Sequence, residues 1–382
     1  MLLIKNISVY APEDLGVKDV LVCGGKIEKI SDSIEIDEAY AKRIDGSGKI
    51  LIPGFIDQHV HIIGGGGEGG LTTRVPEIHI KDLIKGGITT TVGLLGTDGT
   101  TRSVEVLVSK AKALNELGIT AYALTGSYEY PTVTLTGSIK RDLVYIQEII
   151  GCKIALSDHR SSHVSNHELM RVASDTKVAG MLSGKAGVLT IHMGDGKRGL
   201  RPIFEILEDS DLPVSAFRPT HLNRRDELLE ESFKFAQMGG FVDYTCGISG
   251  YHRPASVVKR MIEQGVPTNR ATITSDGFGS YSSYDEDGKL LKIGVSPVGS
   301  LYHEFEHMVN EAEFSIEEAL PYFTSHVAKA LGQEKKKGMI DEGFDADLLI
   351  IDKTLEIETY IARGTVFVEN KNFVKTFPYE ED

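Results

Sequence analysis

Between residues 53 and 337, short apolar runs alternate with segments of helical length and spacing, and no other feature constrains the fold of this chain as strongly. The runs are LIPGFIDQHVH, GITTTVGLLGT, GITAYALTGSY, EIIGCKIALSD, GVLTIHMGD, PVSAFRPTH, GFVDYTCG and ATITSDGFG. In the intervening segments Val104, Leu107, Val108, Ala111 and Leu114 recur at intervals that line one helix face, as do Ile203, Ile206 and Leu207. Strands joined by crossover helices build a parallel sheet covered on both faces. Eight such units over this length predict an α/β chain with a (β/α)8 barrel of the TIM type, for which about 250 residues is typical. A doubly wound open sheet fits the alternation less well, because no nucleotide fingerprint accompanies it.

The chain ends have a different texture. LLIKNISVY, DVLVCGGKIEKIS and GKILIPG near the start are short β-type runs broken by turn residues, and runs at 347 to 352, 356 to 362 and 365 to 374 repeat the style. Together they predict one small β-sandwich built from residues 1–52 and 338–382, with 53–337 as the barrel.

The net charge of −14 argues against a generic nucleic-acid or anionic-membrane surface and suits a soluble enzyme. Cys23, Cys152 and Cys246 have no paired spacing, so they form neither a disulfide framework nor a zinc ribbon and fit a reducing compartment. The start, MLLIKNISVYAPE, lacks the basic and apolar regions of a signal peptide, and no apolar run approaches the roughly 20 residues that span a bilayer. The expectation is a cytoplasmic protein without nucleic-acid or membrane partners.

The strand ends carry the chemistry. Followed to their C-terminal ends, the eight runs reach His61, Thr97, Tyr128, Lys153 or its neighbours, His192, His221, Thr245 and Asp276. In a barrel that face is where catalytic residues collect. His59 and His61 are two apart, so on a strand both point to the same side and can grip one ion. Alone they could equally be a hydrogen-bonded structural pair. With His192, His221 and Asp276 converging on them they read as a metal site, since imidazole and carboxylate are ligands that zinc accepts. Five such groups exceed the needs of a single catalytic zinc and point to two metals, which require a bridging anion. Asp158 and Lys153 compete for that place, and a lysine qualifies only as a carbamate formed with carbon dioxide.

PGFIDQHVHIIGGGGEGG, LLGTDG, LTGSYEYP, CKIALSDHRSS, IHMGD, RPTHLNR and TSDGFGS together resemble the isoaspartyl (β-aspartyl) dipeptidases of the amidohydrolase superfamily, over nearly the whole chain. His-x-His alone would indicate only the superfamily; the glycine run with its glutamate, and SDHRSS, carry the narrower likeness. The resemblance implies two zinc ions, one held by His59, His61 and Asp276, the other by His192 and His221, with carbamylated Lys153 bridging them. Cys152 beside it reads as a small buried residue. The resemblance also implies hydrolysis by a hydroxide activated between the two zincs, Asp276 shuttling the proton and Tyr128 polarising the carbonyl, with Tyr130 as its rival. Isoaspartyl dipeptides are then the substrate. Glu68 would receive the α-ammonium, Arg160 and Arg224 the carboxylates, and Gly66, Thr97 and Ser280 complete the contacts. The glycines 64 to 67 would bring backbone N–H groups close to a carboxylate. A large homo-oligomer, of octamer size, is implied as well.

Other readings keep the scaffold and change the amide: a dihydroorotase- or hydantoinase-type cyclic amidase, or an N-acyl amino acid deacylase. A remote one is an inactive scaffold protein. Glu68 separates the first two from the dipeptidase, because their substrates carry no free ammonium.

Overall fold

The computed structural model describes residues 1–285 and 289–378. All eight expected strands form: β1 (Phe55–Val60), β2 (Ile88–Gly93), β3 (Thr120–Gly126), β4 (Ile149–Leu156), β5 (Val188–Met193), β6 (Phe217–Thr220), β7 (Val242–Thr245) and β8 (Ala271–Thr274). Strands β1 to β6 lie in sequence order in one parallel sheet, and β7 pairs in parallel with β8. Two backbone links join the pieces. Leu222 N–H donates to the Asp243 carbonyl at 3.3 Å, and His61 N–H donates to the Gly277 carbonyl at 2.8 Å. The parallel sheet therefore curls round so that its last strand approaches its first, which is consistent with the eight-stranded barrel.

The strands are buried on both faces because helices cover the outside and side chains fill the inside. The helix Val104–Leu117 buries Val104, Leu107, Val108, Ala111 and Leu114; Ser103 caps its start, and Gly118, in a left-handed conformation, ends it. In the helix Arg201–Asp209, Ile203 and Ile206 are buried, while Leu207 is only partly covered. Phe55 on β1 meets the rings of Tyr302, Phe305 and Phe323 at centroid distances of 5.3, 5.3 and 5.2 Å, which anchors the first strand against the last helices.

The chain ends meet as expected, but hydrogen bonding joins their strands into a single nine-stranded sheet. Ile50–Pro53 pairs antiparallel with Leu348–Ile351 and knits the two ends together. Leu2, Ile4, Val20 and Val22 share one apolar cluster with Leu348, Ile350 and Ile361, so the two halves of the sheet enclose a common core. The strand Lys42–Asp45 and the hairpin Ser280–Tyr284 with Leu290–Val295 have no counterpart in the sequence reading. KRID and SYSSY are polar and offer no apolar alternation, while LLKIGV is apolar but short. Lys337 Nζ, 3% exposed, reaches Asp347 at 2.6 Å, Asp345 at 2.9 Å and Thr120 Oγ1 at 2.9 Å, tying the C-terminal segment to β3. Among the described residues, no helix is long and apolar enough to cross a membrane.

Candidate active site

Buried imidazoles and one aspartate converge where the parallel strands end. His59 lies on β1, at an irregularity in its pairing with β2 between Asp57 and Val60, and His192 lies on β5 in regular register with β4. His221 and Asp276 follow β6 and β8 with left-handed backbone angles, φ of 63° and 52°, which residues with a Cβ seldom adopt. Such strain collects at functional sites, where the surrounding structure holds it in place. Ligand atoms of His59, His221 and Asp276 lie within 4.8 Å of one another. His61 joins them through Nε2, which is 3.3 Å from Asp276 Oδ1. The His192 ring lies 4.7 Å from that of His221, centroid to centroid.

Hydrogen-bond partners decide which ring nitrogens stay available. His221 Nδ1 meets Thr245 Oγ1 at 2.7 Å, and His59 Nδ1 meets Thr220 Oγ1 at 3.3 Å, so on each ring Nε2 is the inward-facing atom. His192 is turned the other way. Its Nε2 lies 2.9 Å from Asp158 Oδ2 and its Nδ1 lies 2.6 Å from the Tyr128 hydroxyl. Burial pushes the Asp158 carboxyl up, but hydrogen bonds from His192 and Arg160 outweigh it and hold the group below the usual carboxylate range. An ionised carboxylate only accepts, so the His192 proton sits on Nε2 and Nδ1 accepts from Tyr128. Burial holds His59, His192 and His221 well below the ordinary imidazole range and therefore neutral, the form in which histidine binds a metal.

Lys153 on β4 is fully buried, and its Nζ lies 3.0 Å from His59 Nε2. Burial pushes its amine down to about 7. Asp158, the other candidate for a bridging role, is engaged by His192 and Arg160 instead. Asp276 Oδ1 is buried with no hydrogen-bond partner among the described residues. A buried, unpartnered carboxylate oxygen beside neutral imidazoles is a donor set that fits a divalent cation.

Every residue expected to touch substrate lies in one pocket: Gly66, Glu68, Thr97, Tyr128, Arg160, Arg224 and Ser280 line it together with His61, His192 and Asp276. Glu68 Oε1 accepts from Ser280 Oγ at 2.7 Å, from Thr97 Oγ1 at 3.2 Å and from Arg160 Nη1 at 3.2 Å. Its Oε2 is buried and without a partner among the described residues. The Arg160 guanidinium also straddles Asp158, with Nε and Nη2 at 3.0 and 2.8 Å from the two carboxylate oxygens. Arg224 forms no hydrogen bond or ion pair among the described residues and also lines a second, adjoining depression. Tyr128 is 6% exposed, and burial raises its hydroxyl pKa, which keeps the proton on it. Tyr130, its rival, is partly buried and packs against the core cluster.

The glycine run does more packing than expected. Gly64 donates to the His61 carbonyl and Gly65 to the Phe278 carbonyl, so these two amides point into the protein. Gly64 has φ +74°, and a Cβ there would collide with the Val75 carbonyl oxygen. Arg102 clamps the turn by donating to the carbonyls of Ile63, Gly65 and Val75. Of the glycines 64 to 67, only Gly66 reaches the pocket. Gly96 gives His61 room, since a Cβ there would approach His61 Cε1 to 2.9 Å.

Arg102, Thr220 and Thr245 are the neighbours that sequence reasoning did not place around these groups; Asp158, expected as a competitor for the bridge, contacts His192 and Arg160. Thr245 was visible as a strand end. Thr220 immediately precedes His221 and would be reached only by asking what faces the next strand.

The chain belongs to the amidohydrolase family, whose model matches residues 50–379. Among solved structures it is similar to the β-aspartyl dipeptidase of Fervidobacterium islandicum AW-1 in complex with β-Asp-Leu dipeptide, with a TM-score of 0.94 and 38% identity over 99% of this chain and 98% of that one. It is also similar to dihydroorotases of Listeria monocytogenes. One, from serotype 4b, is 25% identical over 97% of this chain and 93% of that protein. Another, from serotype 4a, is 36% identical over 127 residues, a match spanning 32% of this chain and 29% of that protein.

Proposed function

We propose that the protein is a metal-dependent dipeptidase that hydrolyses the isopeptide bond of β-aspartyl dipeptides. The observation that carries this is a single pocket in which a metal-type cluster adjoins Glu68 Oε2, a buried carboxylate oxygen without a partner. In such a substrate the aspartyl side-chain carbonyl forms the amide, leaving the α-ammonium and α-carboxylate free. Glu68 Oε2 answers the ammonium. Arg224, unpaired among the described residues, answers one carboxylate, and Arg160, already oriented by Asp158, takes the other. The similarity to an enzyme crystallised with β-Asp-Leu supports the same substrate class.

His59, His61 and Asp276 would hold one zinc ion, and His192 and His221 a second. Lys153 would bridge them once its neutral amine has added to carbon dioxide and lost a proton, forming a carbamate. The lowered pKa of Lys153 supports this step, because only the neutral amine is nucleophilic. When bound, two such ions lower the pKa of a water and polarise the scissile carbonyl. Asp276 takes the proton of the attacking water on its carboxylate and returns it to the leaving amine. Tyr128, its proton retained by burial, donates a hydrogen bond to the carbonyl oxygen as negative charge develops there. His192 Nδ1 accepts from Tyr128 at 2.6 Å; as a metal ligand it would leave that hydroxyl free for this task. We assign this chemistry to a (β/α)8 barrel over 53–337, carrying a folded-over β-sandwich from 1–52 and 338–382.

Replacing Glu68 with Gln tests the reading. The kcat/KM for β-Asp-Leu should fall by about a hundredfold, equivalent to about 3 kcal/mol for a broken buried charge pair. Unchanged turnover would remove Glu68 from ammonium recognition. A cyclic amide has no ammonium, so dihydroorotase activity, as the Listeria relatives suggest, would leave Glu68 Oε2 unanswered.

A further inference from the structure

Beneath the histidines the interior of the curled sheet holds a carboxylate that the reaction does not touch. Asp243 on β7 is 1% exposed and collects four hydrogen bonds. Thr220 Oγ1 and Thr274 Oγ1 donate to Oδ2 at 2.6 and 2.8 Å, while Thr272 Oγ1 and Gln58 Nε2 donate to Oδ1 at 2.7 and 3.1 Å. Thr220 has one hydroxyl proton. With that proton on Asp243, its oxygen can only accept from His59 Nδ1, 3.3 Å away. His59 must then carry its proton on Nδ1, leaving the Nε2 lone pair facing Lys153 and Asp276 at 3.0 and 3.4 Å.

We propose that Asp243, acting through Thr220, is a positioning residue that fixes the tautomer and ring plane of His59 and thereby sets the affinity of the site for a divalent cation. The inference rests on reading His59 as a ligand. Supports of this kind are worth about 10- to 100-fold in metal affinity. A network serving only to satisfy buried polar groups would affect folding and leave the affinity of the folded protein alone.

The test measures zinc affinity by competition with a chromophoric chelator, and the visible spectrum of the cobalt(II)-loaded protein, beside thermal melts of the metal-free protein. Thr220→Val removes the hydroxyl, Thr220→Ala is a second way to do so, and Thr220→Ser restores it. Asp243→Asn offers an amide that can donate to Thr220 and reverse the direction of its hydrogen bond. The expected result is a 10- to 100-fold weaker zinc affinity and an altered cobalt spectrum for Thr220→Val, Thr220→Ala and Asp243→Asn, with Thr220→Ser close to the parent. A folded Thr220→Val or Thr220→Ala protein that binds zinc as the parent does would overturn this inference alone. A parent that binds no zinc would overturn it together with the ligand assignment of His59.

Discussion

At the scale of single residues, burial decides which groups are charged. His59, His192 and His221 are held neutral by burial, while the unfolded chain titrates its histidines near 6.5. As pH falls below that value the unfolded chain takes up protons that the folded metal-free protein refuses, so folding loses stability. Asp57, pushed by burial up to about 7, works the other way, and so does Asp243, also raised by burial. Both bind protons in the folded state before the unfolded chain does. With His326, which burial lowers to about 4, four groups oppose two, and the thermal midpoint of chelator-treated protein should fall between pH 6.5 and about 5. A flat or rising midpoint would contradict the neutral assignment. His59, His61, His192, His221 and Asp276 were legible because strand periodicity places them at strand ends. The Asp158–His192 and Thr220–His59 contacts were not, since each joins residues on different strands and depends on register that no local pattern encodes.

At the scale of elements, helix faces and parallel strands followed from periodicity, because a fully covered strand must be apolar and a covering helix must be apolar on one side. The paired strands Ser280–Tyr284 and Leu290–Val295 escaped that logic. Its first strand, SYSSY, is polar and draws its role from Ser280, which reaches Glu68 across the pocket. Phe55 shows how an element is fixed in place: one ring on β1 touches three others from the C-terminal helical region. Phe55→Ala should cost about 3–5 kcal/mol of stability, as large cavities in aromatic cores do. Urea denaturation measures it, and a loss below about 1 kcal/mol would mean that the cluster relaxes to fill the space.

For the whole molecule, the joint between the chain ends and the curled sheet matters most. Sequence style alone indicated that the ends belong together. It could not say that their strands form one continuous sheet, because pairing such as Ile50–Pro53 with Leu348–Ile351 is set by tertiary contacts. Lys337 locks that joint, with two aspartates and Thr120 around one buried ammonium. Lys337→Met should destabilise the protein by about 3–5 kcal/mol, since it leaves the Asp347 carboxylate buried without its cation, while Asp345 keeps Lys26. A denaturation midpoint equal to the parent's would show that the joint holds without it.

The substrate question is settled most directly by giving the purified, zinc-loaded protein β-Asp-Leu, α-Asp-Leu, dihydroorotate and N-acetylaspartate under identical conditions. Turnover of β-Asp-Leu well above the other three is the expected result, because that compound alone combines an ammonium for Glu68 and two carboxylates for the arginines with a side-chain amide; α-Asp-Leu has the same charges but its amide is on the α-carbonyl. Turnover confined to dihydroorotate or N-acetylaspartate would contradict it.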